Sequence, residues 1–220
     1  MRALKFITLF LSIAIVTGCA SSGNQSERRW PWSPPNTFER PLIADIQPEA
    51  VRHLLESARE QLKVTTHYSP DYFRLSYPNG DPPQETGACV DVVVRAFRKA
   101  GVDLQKEVHE DMAANFALYP QKWGLSTTDT NIDHRRVPNL QMFFTRKGKA
   151  LPISSDPETY KPGDVVSWDI DGKGMTHIGL VSNKWNDDKK RYLIIHNIGG
   201  GVAEEDHLFS WKITGHYRYF

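Results

Sequence analysis

The chain has 220 residues, with 27 basic against 26 acidic side chains, a formal net charge of +1 and two cysteines. This balance, without a long basic run, gives no electrostatic footing for a nucleic-acid partner. Two cysteines exclude a disulfide-stapled scaffold.

Met1 to Cys19 joins a short basic front, Arg2 and Lys5, to an apolar run from Phe6 to Val16 and the ending Val16-Thr17-Gly18-Cys19. The run is too short to span a bilayer as a mature helix and reads as an export signal. Its end resembles a bacterial lipobox, in which the signal is removed and the cysteine becomes the lipidated first residue. The alternative is a plain signal peptide with a chance cysteine. The resemblance implies membrane attachment through Cys19, facing the periplasm, and Ala20 favours the outer membrane where the host has two. Residues 20–47, rich in Ser, Pro and Asn without an apolar period, read as a tether. Residues 48–220 have the length of one domain with a real core. A monomer is expected.

The domain opens with a helix after Pro48, with Val51, Leu54, Leu55, Ala58 and Leu62 at helical spacing. Thr65 to Glu85 reads as loop, with three tyrosines, Asn79-Gly80 and Pro82-Pro83. Cys89 then starts a second helix ending at Gly101. Val90, Val93, Val94 and Phe97 fall on its apolar arc, and Asp91, Arg95, Arg98 and Lys99 on its polar arc. Cys89 is either an inert buried residue or a reactive one, since the first turn favours a thiolate. Were Cys19 lipidated, Cys89 would be the sole thiol of a mature protein in an oxidising compartment, which points to chemistry.

A third helix carries Leu104, Val108, Met112 and Phe116, with His109-Glu110-Asp111 as its solvated face. The segment Asn131-Ile132-Asp133-His134-Arg135-Arg136 is irregular and polar. Arg135 and Arg136 are either solvated or paired with Asp133, or they form a clamp for a substrate carboxylate. A short helix from Pro138 to Gly148 follows. From Pro162-Gly163 the period changes to two. Val166 and Trp168, Ile178 and Leu180, Leu193 and Ile195, and Ile213 through Tyr219 read as successive strands. Asp169-x-Asp171-Gly172 resembles part of a calcium loop but is better explained as a hairpin turn. Helices first and sheet second make an α+β fold.

A cysteine nucleophile needs an imidazole and a third group to orient it. His177 begins one strand and His196 ends another. With Ile178 opposite Ile195, the two histidines share a face; a slip of one residue would substitute Asn197 for His196. His53, His67, His109, His207 and His216 have no comparable setting, while His134 could join a substrate pocket.

Cys89 at a helix start, Gly163-Asp164-Val165-Val166, His177-Ile178-Gly179-Leu180 and Ile195-His196 together resemble the NlpC-type branch of papain-like cysteine peptidases and amidases. Thr66 through Asp91, Asn131 through Leu140, Ile195 through Gly199 and Ile213 through Tyr217 are similar to the uncharacterised bacterial DUF1287 family. The resemblance implies a papain-like fold with helices packed on an antiparallel sheet. It implies Cys89 as nucleophile, His177 as base and His196 as orienting residue, with no cofactor or metal. Candidates for oxyanion and substrate contacts are Tyr68 first and Tyr77 second, with Asp91, His134, Arg135, Arg136 and Asn197. Two departures stand out: Ala88-Cys89-Val90-Asp91 replaces the usual Asp-Cys-Ser-Gly, and the insert from Gly101 to Ala150 has no counterpart in the smallest such domains. The expected activity is cleavage of an amide bond, with peptidoglycan stem peptides as the expected substrate. Alternatives are an acyltransferase with the same triad, a non-catalytic peptide binder, and a zinc site on Cys89, His177 and His196. The catalytic reading expects the start of the Cys89 helix to pack on the sheet face bearing His177, with sulfur roughly 3 to 4 Å from a ring nitrogen.

Overall fold

The structure is a computed structural model and describes residues 48–220. The export signal, Cys19 and the tether lie outside the described residues. Helix α1 (Glu49–Val64) buries Val51, Leu54, Leu55 and Ala58, the arc that the sequence spacing predicts. A short parallel pair, β1 (His67–Tyr68) and β2 (Thr86–Gly87), closes the intervening loop immediately before α2 (Cys89–Lys99). Gly101 stops α2 at φ +90°, and the chain closes back through Val102 N–H to Phe97 C=O and Gly101 N–H to Arg98 C=O. A side chain resists that left-handed conformation, which explains glycine here.

Helix α3 (Leu104–Ala114) is capped by Asp103, which accepts from Gln105 N–H, and buries Leu104, Val108 and Met112. It stops at Asn115, so Phe116 falls in a separate 3₁₀ turn, Phe116–Leu118, and is only half-buried. Asp111 is no free solvated residue: it binds Arg146 at 2.7 Å and the Tyr119 hydroxyl at 2.7 Å. A second 3₁₀ turn, Asp133–Arg135, leads into α4 (Val137–Arg146).

The C-terminal half is an antiparallel sheet of five strands in the order β6-β5-β4-β3-β7. These strands are β3 (Val165–Asp169), β4 (Thr176–Asn186), β5 (Arg191–Asn197), β6 (Val202–Glu205) and β7 (Lys212–Tyr217). Strand β6 escapes the sequence reading because Val202-Ala203-Glu204-Glu205 has no clean alternation. The Asp169–Gly172 stretch lies in the β3–β4 hairpin, where Asp171 accepts from Lys173 and Met175 N–H, as expected for a turn. The domain is therefore α+β. One sheet face, carrying Val165, Ile178, Leu180, Ile195 and Tyr217, packs on the helices; the other, carrying Val166, Trp168, Val181 and Ile194, builds a second core with Tyr160 and Leu208.

The polar arc of α2 is not solvated. From Cys89 to Phe97 every residue of the helix is buried, because the loop between α1 and α2 wraps its polar side. Arg95 is consumed by that loop, donating to Asp81, to the carbonyls of Pro82, Pro83 and Thr86, and to the Thr65 hydroxyl. Asp91 accepts the Ala88 N–H at 2.6 Å and receives the Arg135 fork at 2.8 and 2.9 Å. Both partners are dry, at 1% and 2% side-chain exposure. Removing one member of such a pair strands the other charge without water, at a cost of about 3–5 kcal/mol. Asp91→Ala is expected to lower stability by that order in urea unfolding, and Asp91→Leu combined with Arg135→Met to restore much of it. Equal losses in the single and double variants would show that the pair is not the source.

Candidate active site

Cys89 is the first residue of α2 and is 5% exposed. The Ile178 N–H on β4 and the N–H groups at the start of α2 face its sulfur and favour the thiolate. Burial nevertheless pushes the thiol up to about 12, and the neighbouring Asp91 adds to the rise. Desolvation thus outweighs the helix-start preference for a thiolate. The resting group is a neutral thiol.

His177 and His196 form a bonded pair, with Nε2 of the first 2.8 Å from Nδ1 of the second. The register differs from expectation: Leu180, not Ile178, stands opposite Ile195. A displacement of two residues preserves side-chain parity, so the rings still share a face. Gly179 makes their approach possible, since a Cβ there would stand 2.9 Å from Ile194 Cγ2 and 3.1 Å from His196 Cβ. Trp168 and Trp211 flank His177, with ring centroids 5.9 and 5.7 Å away. Burial, reinforced by the charge of neighbouring imidazoles, pushes His177 down to about 3; burial likewise leads the fall of His196 to about 4.

The expected approach of α2 requires correction. The histidines alternate with Ile178 and Leu180 along β4, so they lie on the sheet face away from α2. The thiol therefore meets β4 at the Ile178 N–H, one residue from His177, rather than across a shared face. Among the described residues no hydrogen bond joins Sγ to either ring. The bond to His196 occupies His177 Nε2 and leaves Nδ1 as the ring nitrogen not engaged in the pair.

Cys89 opens into a pocket of about 340 Å³ walled by Tyr68, Trp123, Arg135, Arg136 and Thr176 among others. Tyr68 is the tyrosine of this site, its hydroxyl raised to about 12 by burial and by the nearby Cys89 and Asp91. Tyr77 is not: it sits edge-on to His109 of α3. Asp91 faces Arg135 and caps α2, so it is a positioning residue rather than a substrate contact. Arg135, bound to Asp91 and to the Asp71 carbonyl, has its carboxylate already, and the partner is not Asp133. Arg136 takes Asp133 at 3.3 Å and lies 4.1 Å over the Trp123 ring. His134 is 2% exposed, held near a pKa of 4 by desolvation, and belongs to the core rather than the pocket lining. Asn197 ties β5 to the carbonyls of His67 and Gly87 and does not orient an imidazole.

Three residues that sequence reasoning passed over complete the surroundings. Glu205 Oε2 lies 3.6 Å from His196 Nε2 and 3.0 Å from His207 Nε2, and His207 stacks on Trp211. The signal for them was Gly199-Gly200-Gly201 before Val202, a turn that pairs β6 with β5 and sets Glu205 opposite Ile194. That puts Glu205 on the face of His196. A zinc site on Cys89, His177 and His196 is not what the geometry forms, because the two imidazoles spend facing nitrogens on each other.

The chain matches the family model described as "Domain of unknown function (DUF1287)" over residues 55–219. It belongs to that family. It is also 53% identical over 180 residues to the "Uncharacterized protein YijF" of Escherichia coli (strain K12), covering 82% of this chain and 87% of that protein. No solved structure matches.

The pKa shifts in this family member make its stability depend on acid. His134, His177 and His196 lie at about 4, 3 and 4 against an ordinary 6.5, so the unfolded chain binds more protons as pH falls below 6.5. The stability they contribute is full above pH 6.5 and is lost as pH falls toward 4. Urea midpoints are expected to hold steady from pH 8 to 7 and to drop between 6.5 and 4. A flat profile across that lower window would show that these rings protonate without cost in the fold.

Proposed function

We propose that the domain is a papain-like, NlpC-type cysteine hydrolase that cleaves an amide bond, with peptidoglycan stem peptides as its substrate class. The observation that carries this reading is the thiol held by the Ile178 N–H, one residue along β4 from an imidazole already bonded to a second imidazole at 2.8 Å. A buried neutral thiol calls for a base rather than a standing thiolate. For His177 Nδ1 to take the proton as sulfur attacks the carbonyl, and to return it to the leaving amine, the ring would have to turn round the start of β4 from the far sheet face toward the thiol. For that, His177 must carry its own proton on Nε2, donated to His196 Nδ1. His196 then carries its proton on Nε2, the nitrogen 3.6 Å from Glu205 Oε2.

The oxyanion would be met by N–H groups at the start of α2 and by the Tyr68 hydroxyl on the pocket wall. With Arg135 committed to Asp91, Arg136 would exchange its 3.3 Å contact with Asp133 for a substrate carboxylate, which stem peptides supply. An acyltransferase would use the same groups and differ in excluding water. A peptide-binding module is the second reading, favoured by the buried thiol and by the missing bond between Sγ and His177.

Purified full-length protein incubated with sacculi is expected to release fragments bearing new amine ends, and Cys89→Ala to release none. His177→Ala should slow release by roughly 10²–10⁴-fold, the usual contribution of a positioned base. Sedimentation of the protein with sacculi, without released fragments across pH and reductant, would sink the hydrolase and leave the binder.

The same reading sets the domain in the cell envelope, tethered through a lipid on Cys19 and facing the periplasm, in the outer membrane of a two-membrane host. Its motivation is the Val16-Thr17-Gly18-Cys19 ending. Cells fed radiolabelled palmitate are expected to label the protein but not Cys19→Ser; equal labelling of both would remove the anchor.

A further inference from the structure

On the sheet face away from the helices, three ligating side chains converge outside the thiol pocket. Glu205 Oε2 stands 3.6 Å from His196 Nε2 and 3.0 Å from His207 Nε2, and the ligating atoms of the trio all lie within 4.8 Å of one another. An independent observation points to a ligand. His196 Nε2 is buried without a hydrogen-bond partner, on a side chain only 1% exposed, and it faces this cluster.

The rings are also held from behind in the manner of metal ligands. His196 Nδ1 is bonded to His177 Nε2 at 2.8 Å and His207 Nδ1 to Ser210 Oγ at 3.0 Å. Trp211 lies parallel to the His207 ring at 4.7 Å and fixes its plane. Two imidazoles and one carboxylate are a zinc donor set that leaves a fourth position open. Bonds of roughly 2.0–2.1 Å in tetrahedral geometry ask for ligand atoms roughly 3.3 Å apart, so only a small closure separates the trio from that arrangement. Glu205 at 47% and His207 at 31% side-chain exposure give an ion access from solvent.

We propose that His196, Glu205 and His207 bind a divalent transition metal of the zinc type, and that occupancy reverses the proton arrangement of the His177–His196 pair. A metal on His196 Nε2 takes the lone pair there, so the proton of that neutral ring must sit on Nδ1 and point at His177 Nε2. His177 then holds its own proton on Nδ1, the ring nitrogen that the pair leaves over, and cannot accept another there. Without metal both protons sit on Nε2 and Nδ1 of His177 is free to accept. No net proton is gained or lost in the exchange. The metal site stands on its own geometry; the switch rests on the hydrolase reading and would make the metal an inhibitor.

The test uses untagged full-length protein in detergent, stripped with chelator and dialysed to equilibrium against zinc sulfate. One zinc per chain is expected, weakened at least tenfold in His207→Ala and in the shape-retaining His207→Gln, with circular dichroism confirming that both fold. Cys89→Ala should bind as the unaltered chain does. Absence of stoichiometric zinc, undiminished binding in both His207 variants, or loss of binding in Cys89→Ala would overturn the site. For the switch, zinc should slow iodoacetamide alkylation of Cys89 in the unaltered chain and leave His207→Gln unaffected. Zinc bound with no change in alkylation would overturn the switch alone. Alkylation needs no substrate, so a failure to cleave sacculi remains a separate result.

Discussion

The dry ion pair between Asp91 and Arg135 fixes where the thiol stands. One carboxylate holds the first turn of α2 through the Ala88 N–H and, through Arg135, draws in the 3₁₀ turn before α4. Arg135 reaches on to the Asp71 carbonyl at 2.6 Å and pins the loop that follows β1. Tyr68, Trp123 and Arg136 wall the pocket from the segments so gathered. Two charges out of water are tolerable only where each is saturated with partners, and here both are. The sequence order Ala88-Cys89-Val90-Asp91 therefore has a mechanical sense, with the acid two residues past the cysteine anchoring the helix that presents it.

Desolvation sets the chemistry of the site more than any single charge. It raises the thiol and lowers both histidines, so the groups rest neutral. Burying charged forms is unfavourable, and neutral partners linked by hydrogen bonds are the arrangement that a dry site supports. On the face away from the helices a series of polar groups runs from His177 through His196 to the half-exposed Glu205, while the Cys89 sulfur stands on the helix side at the Ile178 N–H. Gly179, without a side chain, leaves the space in which His196 approaches β4.

Much of this was legible in the residues. Helical spacing located α1, α2, α3 and α4, and the change of period at Pro162-Gly163 marked the sheet. The pairing of His177 with His196 followed from strand parity and survived a register displaced by two residues, because an even shift returns side chains to the same face. What parity could not decide was which face the helices would cover. The expected packing of α2 against the histidine face was wrong for that reason. Period also failed at Asp91 and Arg95, whose positions on a polar arc imply water but whose partners arrive from a loop and from a turn 44 residues further along.

By itself the sequence determined the four helices and four of the five strands of the sheet, the α+β order, the parity of the two histidines and the place of Cys89 at a helix start, since these rest on contacts between near neighbours in the chain. Tertiary structure alone decided that Arg135 belongs to Asp91, that Tyr68 and not Tyr77 reaches the pocket, and that Glu205 and His207 gather at His196. Those outcomes depend on loop closure and on which apolar face is covered. Local periodicity carries no information about either, because burial is a property of the assembled layers rather than of any one element.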